Sequence, residues 1–167
     1  MERLSRETEE TVHLVMREER DIVYIHKVES DRGAIRMFSR IGMRRPLYCT
    51  GVGKAMMATW PDSEVHTLWR ESDVKPWTAH TIVSEEAFFH ELERVRRLGY
   101  ALDDEENELG VRCIAAAIPD YRGRASYAVS VSAPISRMSD ERIGLLRGPL
   151  LAACDEIAAA LGGSMSR

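Results

Sequence analysis

No apolar run in this sequence approaches the 18 residues that mark a membrane span, and no charged-then-apolar leader opens it. The expectation is a chain that makes no membrane contact. A basic excess is missing too: 23 lysines and arginines stand against 27 acids, a formal net charge of −4. DNA binding driven by counterion release needs a basic face, and this composition offers none. The clustered Arg94, Arg96 and Arg97 fall at the end of a helical pattern, where cations complement the dipole. Cysteine is scarce. Cys49, Cys113 and Cys154 are odd in number and far apart, which argues against a disulfide frame and suits buried thiols in a cytoplasmic, reducing compartment. Repeats and low-complexity stretches are absent, and 167 residues make one domain with room for a real core.

Two nucleotide motifs come close and fail at Cys49-Thr-Gly51-Val-Gly53-Lys-Ala55-Met56. A phosphate-cradling loop needs a hydroxyl where Ala55 stands, and a dinucleotide fingerprint needs a third glycine where Met56 stands. What remains is a helix start capped by Thr50, with two glycines that let a neighbour approach the backbone. Its amides and dipole favour an anion of carboxylate size. A glycine-rich packing turn reads equally well from this motif alone.

The stretch Gly99–Pro134 organises the rest. It reads as strand, acidic loop, buried strand, tight turn and strand, with the Cys113–Ile118 run stopped by an Asp120–Gly123 turn. Beyond the turn, Ser126, Ala128, Ser130 and Ser132 share one face, and Tyr127, Val129 and Val131 the other. Small hydroxyls opposite apolar residues suit the wall of a polar cavity. An ordinary half-exposed strand with its serines in water fits the same alternation.

Upstream, residues 2–10 are polar and helix-favouring, followed by a hairpin of Thr11–Arg17 and Asp21–Val28. Ala34–Phe38 and Leu47–Cys49 are weaker strand candidates. Helices are expected from Thr50 to Ala58, over Asp62–Trp69, and from Ser84 to Gly99, the last with apolar residues at helical spacing. A helical tail begins at Ser139-Asp140, and Gly148-Pro149 is expected to kink or restart it. The fold class is α+β: about six strands in one mostly antiparallel sheet, with helices outside.

Asp103-Asp-Glu-Glu-x-x-x-Gly110-x-Arg-Cys113-Ile-Ala-Ala, then Ser130-x-Ser132-x-Pro134 and Arg137, resembles the effector-binding domain of IclR-type bacterial transcription regulators. Thr50-Gly-Val-Gly-Lys-Ala, and Tyr24-Ile-His-Lys-Val-Glu ahead of Ser39-Arg-Ile-Gly42, agree with it. The resemblance runs from about Glu10 to Gly163 and implies a GAF-like domain. The first half looks most like members sensing sugar-acid products such as 2-keto-3-deoxygluconate. The second half looks closer to the glyoxylate- and pyruvate-responsive repressor.

Several expectations follow from that resemblance. The effector is a small keto or hydroxy carboxylate, a sugar-acid or central-carbon catabolite. Gly51 and Val52 correspond to backbone donors, although the repressor has alanine in place of Val52. Asp103, Cys113, Ser130 and Ser132 match its polar contacts, and Met37 and Val111 its apolar wall, with Val111 replacing a leucine. Residues 1–10 resemble the end of an inter-domain helix, and 11–167 the effector-binding domain. The winged helix–turn–helix of the family has no room in this chain, so DNA would be reached only through that missing part. A homodimer or homotetramer is expected, with neither cofactor nor metal.

An enzyme would need a nucleophile with a positioned base, or a metal with an open position. Cys113 has no histidine near it in sequence, and Cys113 with Asp103 gives too few ligands for zinc. The rival is a thiol enzyme on a GAF-type fold, a reductase of free methionine sulfoxide, with Cys49 as resolving partner to Cys113.

Overall fold

The structure, a computed structural model, describes residues 1–29 and 38–162. One six-stranded sheet runs through it: β1 (Thr11–Glu18), β2 (Asp21–Val28), β3 (Arg44–Pro46), β4 (Ala101–Asp104), β5 (Val111–Pro119) and β6 (Ala125–Pro134). The spatial order is β3-β2-β1-β6-β5-β4, and every neighbouring pair is antiparallel. Chain ends therefore meet in the middle, where β1 pairs β6. The β5–β6 turn forms as expected: Asp120 accepts from the amides of Arg122 and Arg124, and Gly123 takes the left-handed conformation at φ 76°.

Helices cover both faces. Short α2 (Gly51–Met57), α3 (Asp62–Glu71) and α4 (Glu85–Leu98) lie on one side, burying Val52, Met56, Met57, Trp69, Phe88 and Leu92 against Val15, Ala115 and Ala128. On the other, α1 (Glu2–Thr8) and α5 (Asp140–Ala160) bury Leu4, Ile143, Leu146, Leu150 and Cys154 against Val12, Ile114, Val129 and Val131. Thr50, Ser84 and Ser139 cap α2, α4 and α5, each side chain accepting a first-turn amide. Arg96, at the end of α4, does more than face a dipole: it donates to the Ala58 carbonyl and pairs with Asp62.

Two expectations change. Leu47–Cys49 is a turn, not a strand, and the pairing residues are Arg44–Pro46 against Asp21–Val23. Leu47, Tyr48 and Cys49 are all buried, so the run has no outer side and dives into the core ahead of α2. Pro149 does not restart the last helix, since α5 is continuous through it. The carbonyl freed by the missing donor is that of Leu145, whose residue is exposed, so water can satisfy it. The Ala34–Phe38 strand lies outside the described residues except for Phe38, which is exposed in a bend. No helix among the described residues is long and apolar enough to cross a membrane.

Candidate functional site

Register decides which side chains meet. Asp103 pairs Cys113, Cys113 pairs Ser132, and Ser132 pairs Thr11, a row across four strands on the face toward α2. The next row is Ala101, Ala115, Ser130, His13 and Lys27. Val111 shares the face, two residues before Cys113 and partly buried. Four polar residues picked from sequence, Asp103, Cys113, Ser130 and Ser132, thus stand side by side. Met37 lies outside the described residues.

The serines are not in water. Ser130 is 4% and Ser132 2% exposed, and both hydroxyls lie beside His13 Nδ1, at 3.4 and 3.3 Å. The other ring nitrogen of His13, Nε2, is 2.7 Å from Ser39 Oγ. Burial lowers the His13 pKa to about 3, with Lys27 pushing the same way, so the ring is neutral at physiological pH. A neutral imidazole gives one nitrogen a proton and leaves the other an acceptor. The tautomer therefore sets whether the serine hydroxyls are free to donate. Tyr24 packs its ring edge on His13, centroids 5.1 Å apart, and burial pushes its hydroxyl pKa up.

The start of α2 closes the site from above. A Cβ on Gly51 would lie 3.2 Å from the Asp103 amide nitrogen and 3.3 Å from Ala115 Cβ, so glycine lets the helix rest on β4 and β5. At Gly53 a Cβ would collide with the Leu47 carbonyl at 2.0 Å, which requires glycine outright. The glycine motif is thus a packing turn, with the first-turn amides of Gly51 and Val52 at the helix start that it forms. The helix itself offers those amides no acceptor.

Asp103 has a role that the sequence did not disclose. Its Oδ1 accepts from the amides of Glu106 (2.9 Å) and Asn107 (3.3 Å), so the carboxyl caps its own acidic loop. Burial, with Glu106 nearby, raises its pKa to about 7 against the opposing pull of Lys54 and these amides. An Asp103 that keeps its proton near neutrality can donate as well as accept. Beneath it, fully buried Lys54 of α2 joins Glu106 of the loop to Glu91 of α4, the Glu91 contact being 3.2 Å. Composition hid this lysine among ordinary surface cations, and only its place one residue after Gly53 hinted at burial.

The thiols argue against the enzyme reading. Burial pushes both Cys113 and Cys49 well above the ordinary thiol range, so neither is a ready thiolate. Cys49 Sγ donates to the Pro46 carbonyl, a contact of the turn.

Residues 1–159 match the family model of the bacterial transcriptional regulator IclR C-terminal domain. The chain belongs to the IclR family. It is 42% identical over 162 residues to the HTH-type transcriptional regulator KdgR of Escherichia coli, covering 97% of this chain and 61% of that protein. The crystal structure of the C-terminal domain of E. coli KdgR superposes with a TM-score of 0.87 at 40% identity, covering 97% of this chain and 93% of that one. That of the Thermotoga maritima IclR protein gives 0.92 at 36% identity, covering 96% and 64%. The chain thus spans about three-fifths of the length of the curated relatives it matches, and corresponds to the ligand-binding C-terminal domain of a transcription-regulator and repressor family. These relatives are regulators by name, and none of the three is named as a reductase.

Proposed function

We propose that this chain is the sensor domain of an IclR-type regulator, binding a small keto or hydroxy carboxylate of the sugar-acid or central-carbon kind. The supporting observation is the polar set of buried His13, Ser130, Ser132 and Asp103, with half-buried Cys113 among them, beneath the start of α2. Ser130 and Ser132 rest on His13 Nδ1 and Asp103 on its own loop amides, so four buried polar groups are held in one patch with donors and acceptors that a polar guest would exchange for its own. The ligand's carboxylate takes the hydroxyls of Ser130 and Ser132 and the Gly51 and Val52 amides. Its keto or hydroxyl oxygen turns toward Asp103 and Cys113. Val111 closes the apolar side.

In the whole protein, occupancy is communicated to a winged helix–turn–helix outside this chain, α1 being the end of the connecting helix. The domain acts as a homodimer or homotetramer and needs neither metal nor cofactor. By itself the acidic chain does not hold DNA, and salt-sensitive binding of DNA by these 167 residues would contradict this.

A thermal-shift screen against keto acids, sugar acids and aromatic acids tests the reading. A true effector present at 100 times its Kd adds about 2.7 kcal/mol of stability, an unmistakable rise in Tm. A screen in which no small acid shifts the parent chain would count against it.

A further inference from the structure

Away from that site, an open groove of about 750 Å³ runs between the end of α4, the middle of α5 and the β5–β6 turn. Its floor is apolar, made by Val95, Leu98, Ala117 and Leu151. Four arginines line it, Arg96, Arg97, Arg122 and Arg147, and no acid does. In a chain of net charge −4 this is a local reversal of sign. Arg96 is engaged by Asp62 and the Ala58 carbonyl. Among the described residues the other three enter no ion pair, and two of them lie on rings instead. Arg122 sits 5.0 Å from the Tyr121 centroid and Arg147 5.5 Å from that of Tyr100.

We infer that this groove is a second binding site, for an organic anion with a phosphate or carboxylate head and a flat apolar body. Its size falls within the range of small-molecule sites. Guanidinium groups recognise phosphate and carboxylate through paired N–H donors, and three with no counter-charge leave that capacity unspent. Stacking on Tyr121 and Tyr100 holds two of the forks in place, so less side-chain freedom is lost when an anion arrives. The floor supplies what a simple inorganic anion cannot use, which is why the guest needs an apolar body. This site is separate from the polar patch under Gly51 and Val52. They share α2 as a wall: Ala55 and Ala58 line the groove, while the first turn of the same helix faces the patch.

The probe is 1-naphthyl phosphate, with inorganic phosphate and 1-naphthol as the head alone and the body alone. Amide chemical shifts of the 167-residue chain are followed on titration. The aryl phosphate is expected to give saturable shifts at Gly99, Ala117 and Gly123, at least about tenfold tighter than either control. The double variant Arg97→Gln/Arg147→Gln changes two exposed side chains outside any ion pair, so Tm should hold. Its affinity for the aryl phosphate should fall by about tenfold or more. Shifts confined to Ser130, Ser132 and their neighbours, equal binding of the three probes, or an unchanged affinity in the double variant would each overturn the assignment.

Discussion

Strand β6 carries two chemistries on alternate residues. Val129, Val131 and Ala133 face α1 and α5 and join an apolar cluster from Leu4 to Ala158, while the buried Ser5 and Thr8 hydroxyls of α1 bond to backbone carbonyls of their own segment. Ser130 and Ser132, one residue along, face His13, Cys113 and the start of α2. Both sides are equally dry, so burial does not distinguish them. On the α5 side stability rests on filled volume. Stability on the α2 side rests on hydrogen bonds and charge pairs, a costlier way to build a core that makes sense where a polar guest completes it.

The comparison is broken most severely by removing what each side depends on. Lys54→Met keeps the volume at the α2 side but strands Glu106 and leaves Glu91 to Arg94 alone, and is expected to cost about 3–5 kcal/mol. Leu150→Ala leaves every charge alone but opens a void under the α5 face, and is expected to cost about 2–5 kcal/mol. Urea midpoints measure both. Only the first should also change the pH dependence of stability, because only it removes a buried charge. Matching pH profiles for the two variants would mean that both sides are ordinary core.

That same difference explains what could be read from the sequence. Apolar burial on both sides announced itself by alternation along β1 and β6 and by the 3.6-residue pattern of α4, both local signals. The hairpins, the helix caps at Thr50 and Ser84, and the serine face were legible for the same reason. His13 was not: alternation put it opposite Val12 and Leu14, but nothing local said that β1 pairs β6 over a separation of more than 100 residues. Lys54 and Glu106 are joined across 52 residues, and Asp103 is tied to its own loop rather than held open to solvent. Leu47–Cys49 misled because three consecutive buried residues look like a buried strand whether or not a partner exists. Polar contacts at long range have no period, so they become visible only once the sheet order is known.

A smaller effect, of a few kcal/mol at most, separates the faces by pH. Unfolded, the Asp103 carboxyl titrates near 3.9; folded, it is raised to about 7. Between those values the folded chain keeps a proton that the unfolded chain releases, so this group's contribution falls as pH rises through the window. Below about pH 4 both states are protonated and the loss vanishes. Asp103→Asn retains an oxygen for the Glu106 and Asn107 amides and has nothing to ionise. Relative to the parent, its stability should climb from pH 4 to 7 and level off above. A parent-minus-variant difference that stays flat across this range would place Asp103 in ordinary solvent contact.

The finest division lies between adjacent residues of β6, and a pair of substitutions exchanges their chemistries. Ser130→Ala removes a hydroxyl from the polar side, and Val131→Thr adds one to the apolar side at nearly constant volume. The first leaves a ligand oxygen without its donor, so the acid that most stabilises the parent should bind about 1–3 kcal/mol more weakly. Its unfolding midpoint should move little, because His13 Nδ1 still has Ser132 within 3.3 Å. Val131→Thr buries a hydroxyl against Ile114 and the α5 side chains, where no polar partner faces it. Stability should drop by about 1–3 kcal/mol, with ligand affinity unchanged. Calorimetry and urea unfolding on both variants give four numbers, and their pattern matters more than any one of them. A crossed result, binding lost in one and stability in the other, means that the two faces of a single strand serve different ends. If both variants lose stability alone, Ser130 is a structural hydroxyl and the ligand sits elsewhere.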